Sequence, residues 1–209
     1  MAALQLRLYG GLEQALARVA PDKGVVGLGM SDASVYSYWL EQKFSYTNTF
    51  FHTRPYLDIR KPGTQYLARN DFVISSDVLE HVSAPLDSVF ANLHALLRPG
   101  GVLVFTVPYA LQGQTVEHFP ELHDFEIIGK KSDRQLINRT QDGREKIYTD
   151  LCFHGGDGAT LELRLFSLPD LLAHLEQAGF QNITVHAEDH PEWGIVHTDR
   201  MGAPVSAIA

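Results

Sequence analysis

Apolar residues recur along this chain with two periods. Leu86, Val89, Phe90, Leu93, Leu96 and Leu97 fall at helical spacing and form one continuous stripe, which predicts a core-facing helix. Ser83 and Pro85 supply its start and Pro99-Gly100-Gly101 its stop. Short unbroken apolar runs flank it at 72–75 and 102–107, the pattern of strands buried on both faces. Strand, helix and strand with short connections make the βαβ unit of a parallel sheet. A second marked helix is predicted over 167–178, with Leu168, Leu171, Leu172 and Leu175 on one face, Ser167 with Asp170 as a capping box, and Gly179 as the stop.

Toward the N-terminus, Leu12, Leu16 and Val19 fall at helical spacing before Pro21-Asp22-Lys23-Gly24, and 25–29 reads as a buried strand entering a glycine turn. A helix over 33–42, a strand over 44–51 and a short strand over 56–59 that stops at Lys61-Pro62-Gly63 follow. Two late strands are expected at 183–186 and 204–208. The stretch 108–166 is too long for a plain loop. Within it, 135–140 and 145–153 read as a hairpin around Gln141-Asp142-Gly143, and 160–166 as a strand that turns Leu161, Leu163 and Leu165 inward. The expected architecture is a single α/β domain over 1–209, with a doubly wound, mostly parallel sheet and a β-rich cap inserted after the fifth strand.

Composition narrows the function. At 209 residues, 44% hydrophobic and 20% charged, the chain has room for one full core. A net charge of −8 repels phosphate backbones and anionic lipid, so neither nucleic acid nor a membrane surface is an expected partner, and the basic Lys130, Lys131 and Arg134 are too few to reverse that. The single cysteine, Cys152, excludes an internal disulfide and a cysteine-rich zinc site. With no signal-peptide pattern at the start and no run of about 18 apolar residues, the cytoplasm is the expected location.

In an open α/β sheet, ligands bind outside the carboxyl ends of the strands. The residues to inspect are therefore Gly27 to Asp32, His52 to Arg54, Asp58, Ser75 to His81 and Val107 to Tyr109. Gly27-Leu28-Gly29 would let the backbone approach a nucleoside, although the third glycine of the dinucleotide fingerprint is missing.

The block FVISSDVLEHVSAPLDSVFANLHALLRPGGVLVFTVPY, with its Leu-Glu-His-Val run and its Leu-Arg-Pro-Gly-Gly bend, resembles the fourth strand, helix and fifth strand of class I S-adenosylmethionine-dependent methyltransferases. Tyr46-Thr47-Asn48-Thr49-Phe50, Glu117-His118-Phe119-Pro120 and Phe153-His154-Gly155-Gly156 resemble a bacterial subgroup of such domains found alone or joined to glycosyltransferases. The resemblance implies a final antiparallel hairpin, S-adenosylmethionine as cofactor, a small-molecule or glycan acceptor, and a glycosyltransferase as a partner. It places the cofactor against Gly27, Gly29, Ser31, Thr49, Asp58, Ile59, Ser75 and Ser76. Two departures stand out. Gly27 occupies the place of the acid that usually ends the first strand, and Asn48, Thr49 and His52 stand where the second strand usually offers a ribose-binding acid.

Methyl transfer to a hydroxyl or amine needs a base, and histidine is suited to it near neutral pH. His81, at the cofactor edge, and His118 and His123, at the root of the cap, are the expected catalytic residues. Glu188, Asp189, His190 and Glu192 read as a solvated loop, and no metal is expected. Two other classes compete: a degenerate methyltransferase fold serving as a binding or assembly module, and a nicotinamide-dependent oxidoreductase, which lacks its third glycine and acidic ribose partner.

Overall fold

The computed structural model describes residues 1–11, 16–130, 133–154, 160–198 and 201–209. Leu12 of the expected first helix, Lys131 of the basic run, and Gly155-Gly156 lie outside them. The ordered elements begin with a helix that periodicity did not reveal, α1 (Ala2–Tyr9), followed by β1 (Val26–Met30), α2 (Ser34–Lys43), β2 (Ser45–Thr49), β3 (Asn70–Ser76), α3 (Leu86–Leu96) and β4 (Leu97–Thr106). Short strands then form the cap: β5 (Tyr109–Ala110), β6 (Val116–Glu117), β7 (Asp124–Ile128), β8 (Gln135–Arg139), β9 (Glu145–Tyr148), β10 (Phe153–His154), β11 (Thr160–Leu161) and β12 (Arg164–Ser167). The chain closes with α4 (Leu168–Gln177), β13 (Gln181–Val185) and β14 (Val205–Ile208).

The central sheet runs β13-β14-β4-β3-β1-β2. Its four strands β2, β1, β3 and β4 are parallel, while β14 runs antiparallel to both β4 and β13. Period-two alternation divides the core between the two faces. Val73, Leu103 and Phe105 turn toward α3 and α4 and join Val89, Phe90, Leu93, Leu171 and Leu175. Phe72, Ile74, Val102 and Val104 turn the other way and meet Leu4 of α1 and Leu40 of α2. The sheet is thus covered on both sides, which explains why its strands read as unbroken apolar runs. The helix over 167–178 owes its start to Ser167, whose hydroxyl accepts from the Asp170 amide at 3.2 Å.

Three expectations are corrected. Residues 56–59 form no strand: a single bridge joins Phe50 to Tyr56, because Phe50 N–H is taken by the Pro55 carbonyl and Leu57 N–H by the Phe50 carbonyl in a tight loop. The cap therefore follows the fourth strand, not a fifth. The hairpin strand 145–153 stops at Tyr148, and β7 joins β8 and β9 in a three-stranded sheet. The strand 160–166 is broken into β11 and β12, since Arg164 is buried and pairs opposite Glu117. Among the described residues no helix is long and apolar enough to cross a membrane.

Candidate active site

A cavity of about 510 Å³ opens at the carboxyl ends of β1 and β2 and is closed from the far side by the cap. That volume falls in the range that accommodates a nucleoside-sized ligand. Met30, Ser31, Thr49, Leu57, Asp58 and Ile59 line one wall, and Val78, His81, Val82 and Ser83 another. The cap contributes Phe125, His154, Leu161 and Leu163.

Five of the residues expected from sequence, Ser31, Thr49, Asp58, Ile59 and His81, therefore reach the cavity. Ser31 adopts a left-handed backbone, φ 58°, which turns the chain sharply off β1 at the cavity edge. Thr49 is fully buried, and its hydroxyl is already committed to the Gly29 carbonyl at 2.7 Å. Asp58 is held by Arg60, which donates from Nε and Nη2 to its carboxylate at 3.0 and 2.8 Å. That guanidinium keeps the Asp58 carboxyl below its ordinary range and also lies over the Phe51 ring, 5.5 Å from its centroid.

The two glycines do not line the cavity. A side chain at Gly27 would run into the Phe72 ring, and one at Gly29 would meet the Tyr46 hydroxyl and the Asp32 carboxylate. A side chain at either place would displace protein neighbours, so a Gly29 substitution would disturb the fold as well as any ligand. Ser75 and Ser76 also stand behind the wall: Ser75 Oγ is buried without a partner among the described residues, and the Ser76 hydroxyl lies 3.2 Å from that of Tyr36, to which it donates.

Asp32, the last of the first-strand residues to inspect, turns inward to the protein. It is 5% exposed, accepts from the Tyr46 hydroxyl, and accepts from the Tyr36 hydroxyl at 2.8 Å. Burial raises its pKa from 3.8 to about 6, against the pull of the two tyrosines. The folded state thus holds the proton more tightly than the unfolded chain between those values. Stability from this group is present in full below pH 4 and is lost as pH rises through 6. The difference is on the order of 3 kcal/mol. Urea titrations from pH 4 to 7 should show this slope in the native protein and lose it in Asp32→Asn; an unchanged slope would exclude Asp32 as its source.

The expected cap histidines stand elsewhere. His123 is exposed, with its backbone N–H on Asn138 Oδ1, and His118 Nε2 lies 3.2 Å from Glu162 Oε1. Neither lines the cavity. In their place the structure brings His154 of β10 to His81 and Glu80. Glu80 Oε1 is 3.2 Å from His154 Nδ1 and 3.6 Å from His81 Nε2. Glu80 is fully buried, and burial pushes its carboxyl up to about 8. Burial also lowers the His81 imidazole, while the Leu161 carbonyl sits 2.8 Å from Nδ1. Glu80 stands inside the Leu-Glu-His run, but nothing in a single sequence ties it to a histidine in the cap.

The fold is a doubly wound α/β domain with a cavity at its strand ends. The sequence matches the family described as methyltransferase domain over residues 12–185, and the chain belongs to that family. Comparison with curated protein sequences returned no match. Among solved structures it is similar to an S-adenosylmethionine-dependent methyltransferase from Mesorhizobium loti, with 16% identity, TM-score 0.54, and 95% of this chain and 100% of that one covered. It is similar also to the 1,6-didemethyltoxoflavin-N1-methyltransferase of Burkholderia thailandensis, solved with 1,6-didemethyltoxoflavin and S-adenosylhomocysteine, with 16% identity, TM-score 0.53, and coverage of 99% and 75%. A sugar N-methyltransferase from Streptoalloteichus sp shows 14% identity, TM-score 0.52, and coverage of 99% and 83%. At these identities the likeness establishes the fold.

Proposed function

We propose that the protein is an S-adenosylmethionine-dependent methyltransferase acting on a small-molecule or carbohydrate-like acceptor. The observation that carries this reading is the cavity at the ends of β1 and β2, in a chain whose family match spans both strands. The donor supplies a methyl group from its sulfonium, and the residues present suit it. Leu57, Ile59 and Val82 offer apolar walls for a purine, Asp58 an acceptor for its exocyclic amine, and the Ser31 turn a close backbone approach. His81, alone of the three histidines expected from sequence, faces the remaining space, where an acceptor would stand. The sugar acceptor of one structurally similar enzyme and the 1,6-didemethyltoxoflavin bound by another support a small-molecule acceptor.

Calorimetric titration tests the reading. S-adenosylhomocysteine and S-adenosylmethionine should bind and NAD should not. Asp58→Ala should weaken binding about 10-fold or more, the scale of one hydrogen bond to a charged group. Absence of heat with either sulfur ligand at millimolar concentration would sink the proposal and return the chain to the assembly-module class.

A further inference from the structure

We propose that Glu80, His81 and His154 form a binding site for one divalent transition-metal ion, open on its fourth side to the cavity. The site nearest in character is the two-histidine, one-glutamate set of a catalytic zinc centre. An ion about 2.1 Å from each donor in tetrahedral geometry separates the donors by about 3.4 Å. Glu80 Oε1 lies 3.2 Å from His154 Nδ1 and 3.6 Å from His81 Nε2, and the three donor atoms fall within 4.8 Å of one another.

Two features single this group out. Both Glu80 carboxylate oxygens and His154 Nδ1 are buried and make no well-aligned hydrogen bond to another of the described residues, although Glu80 Oε1 and His154 Nδ1 stand 3.2 Å apart, an arrangement that a shared ion would satisfy. The nearby guanidinium of Arg164 does not serve Glu80, because its donors go to Glu117 and to the carbonyls of Leu79 and Val82. His81 carries the outer contact typical of a metal-bound imidazole: Nδ1 on the Leu161 carbonyl at 2.8 Å, which fixes the ring with Nε2 toward Glu80. The pairing of β10 with β11 sets both contacts, placing His154 opposite Thr160 and next to the strand residue whose carbonyl holds His81.

Imidazole and carboxylate donors favour zinc, cobalt or nickel over magnesium and calcium, which prefer oxygen alone. His81 and His154 both line the cavity, so the open position faces the acceptor space. This part of the inference rests on the methyltransferase reading of that cavity: an ion there would hold an acceptor hydroxyl or amine and acidify it.

The test uses the full-length, untagged protein, stripped with chelator and titrated with cobalt(II), beside an S-adenosylhomocysteine titration of the same sample. One cobalt per chain should give a visible tetrahedral absorption band, weakened at least 10-fold in affinity by His154→Ala and by Glu80→Gln, with circular dichroism unchanged. If Glu80→Gln fails to fold, His154→Ala decides, since that side chain is 38% exposed. His118, Cys152 and Glu162 form a second trio with ligand atoms within 4.8 Å, so Cys152→Ser is the control and should leave the band in place. No band in the native protein, a band indifferent to His154→Ala, or a band lost with Cys152→Ser would each overturn the site. Cobalt binding without S-adenosylhomocysteine binding would instead refute the methyltransferase reading and leave the metal site standing.

Discussion

Gly27→Val should cost about 3 kcal/mol or more of folding stability, at the upper end of overpacking penalties, and lower Tm by about 10 °C. Gly27 pairs with Tyr46 on one neighbouring strand and with Phe72 on the other. The three side-chain positions share one face of the sheet, and the Phe72 ring lies across the gap that glycine leaves. That ring has nowhere to go, since Phe44 meets it edge-on at 5.4 Å between centroids and Tyr46 stacks on it at 6.0 Å. Phe72→Leu in the Gly27→Val background should recover part of the loss, so that the two substitutions are less than additive. Thermal melts of the four proteins measure this. A Gly27→Ala protein with native stability but no S-adenosylhomocysteine binding would reverse the assignment and make Gly27 a ligand-facing residue.

The same three residues show what a sequence can and cannot disclose. The unit from 72 to 107 was legible because its helix stripe and flanking apolar runs depend only on local period, and burial on both faces leaves no polar interruptions. Gly27 and Gly29 were legible as places of close approach, but what approaches them depends on strand register. Periodicity cannot supply register between strands about 20 to 45 residues apart. The tight loop at 50–57 defeated the expected strand for another reason: its hydrogen bonds are satisfied within the segment itself, leaving none for a neighbour. For the site, the strand-end rule reached Ser31 and His81 because topology alone puts them at one edge, while Asp58 was reached through an expected strand that does not form and Ile59 through the family resemblance. The rule could not find His154, whose position depends on the fold of the cap, or the tyrosine partners of Asp32, which lie on a helix and a neighbouring strand.

Arg164 joins that cap to the site, and its replacement is the second large effect. The side chain is 1% exposed, whereas its partner Glu117 is 40% exposed. Nε reaches Glu117 at 2.7 Å, and Nη1 donates to the carbonyls of Leu79, at 3.0 Å, and Val82. These carbonyls bracket the turn that carries Glu80 and His81, and Leu163 N–H donates to the Glu80 carbonyl between them at 2.8 Å. Arg164→Met keeps the apolar stem but leaves the Val82 carbonyl without its donor and the Leu79 carbonyl with the Val82 amide alone, which should cost about 1 to 3 kcal/mol, the range for one unpaired interior group. Glu117→Gln removes only a half-exposed charge and should cost less than about 1 kcal/mol. Urea unfolding of both variants, with amide exchange followed at residues 79–82, separates the two contributions. Equal losses would mean that the ion pair ties the cap down; the predicted inequality, with exchange at the turn accelerated only in Arg164→Met, means that the cap positions Glu80 and His81 by holding their backbone.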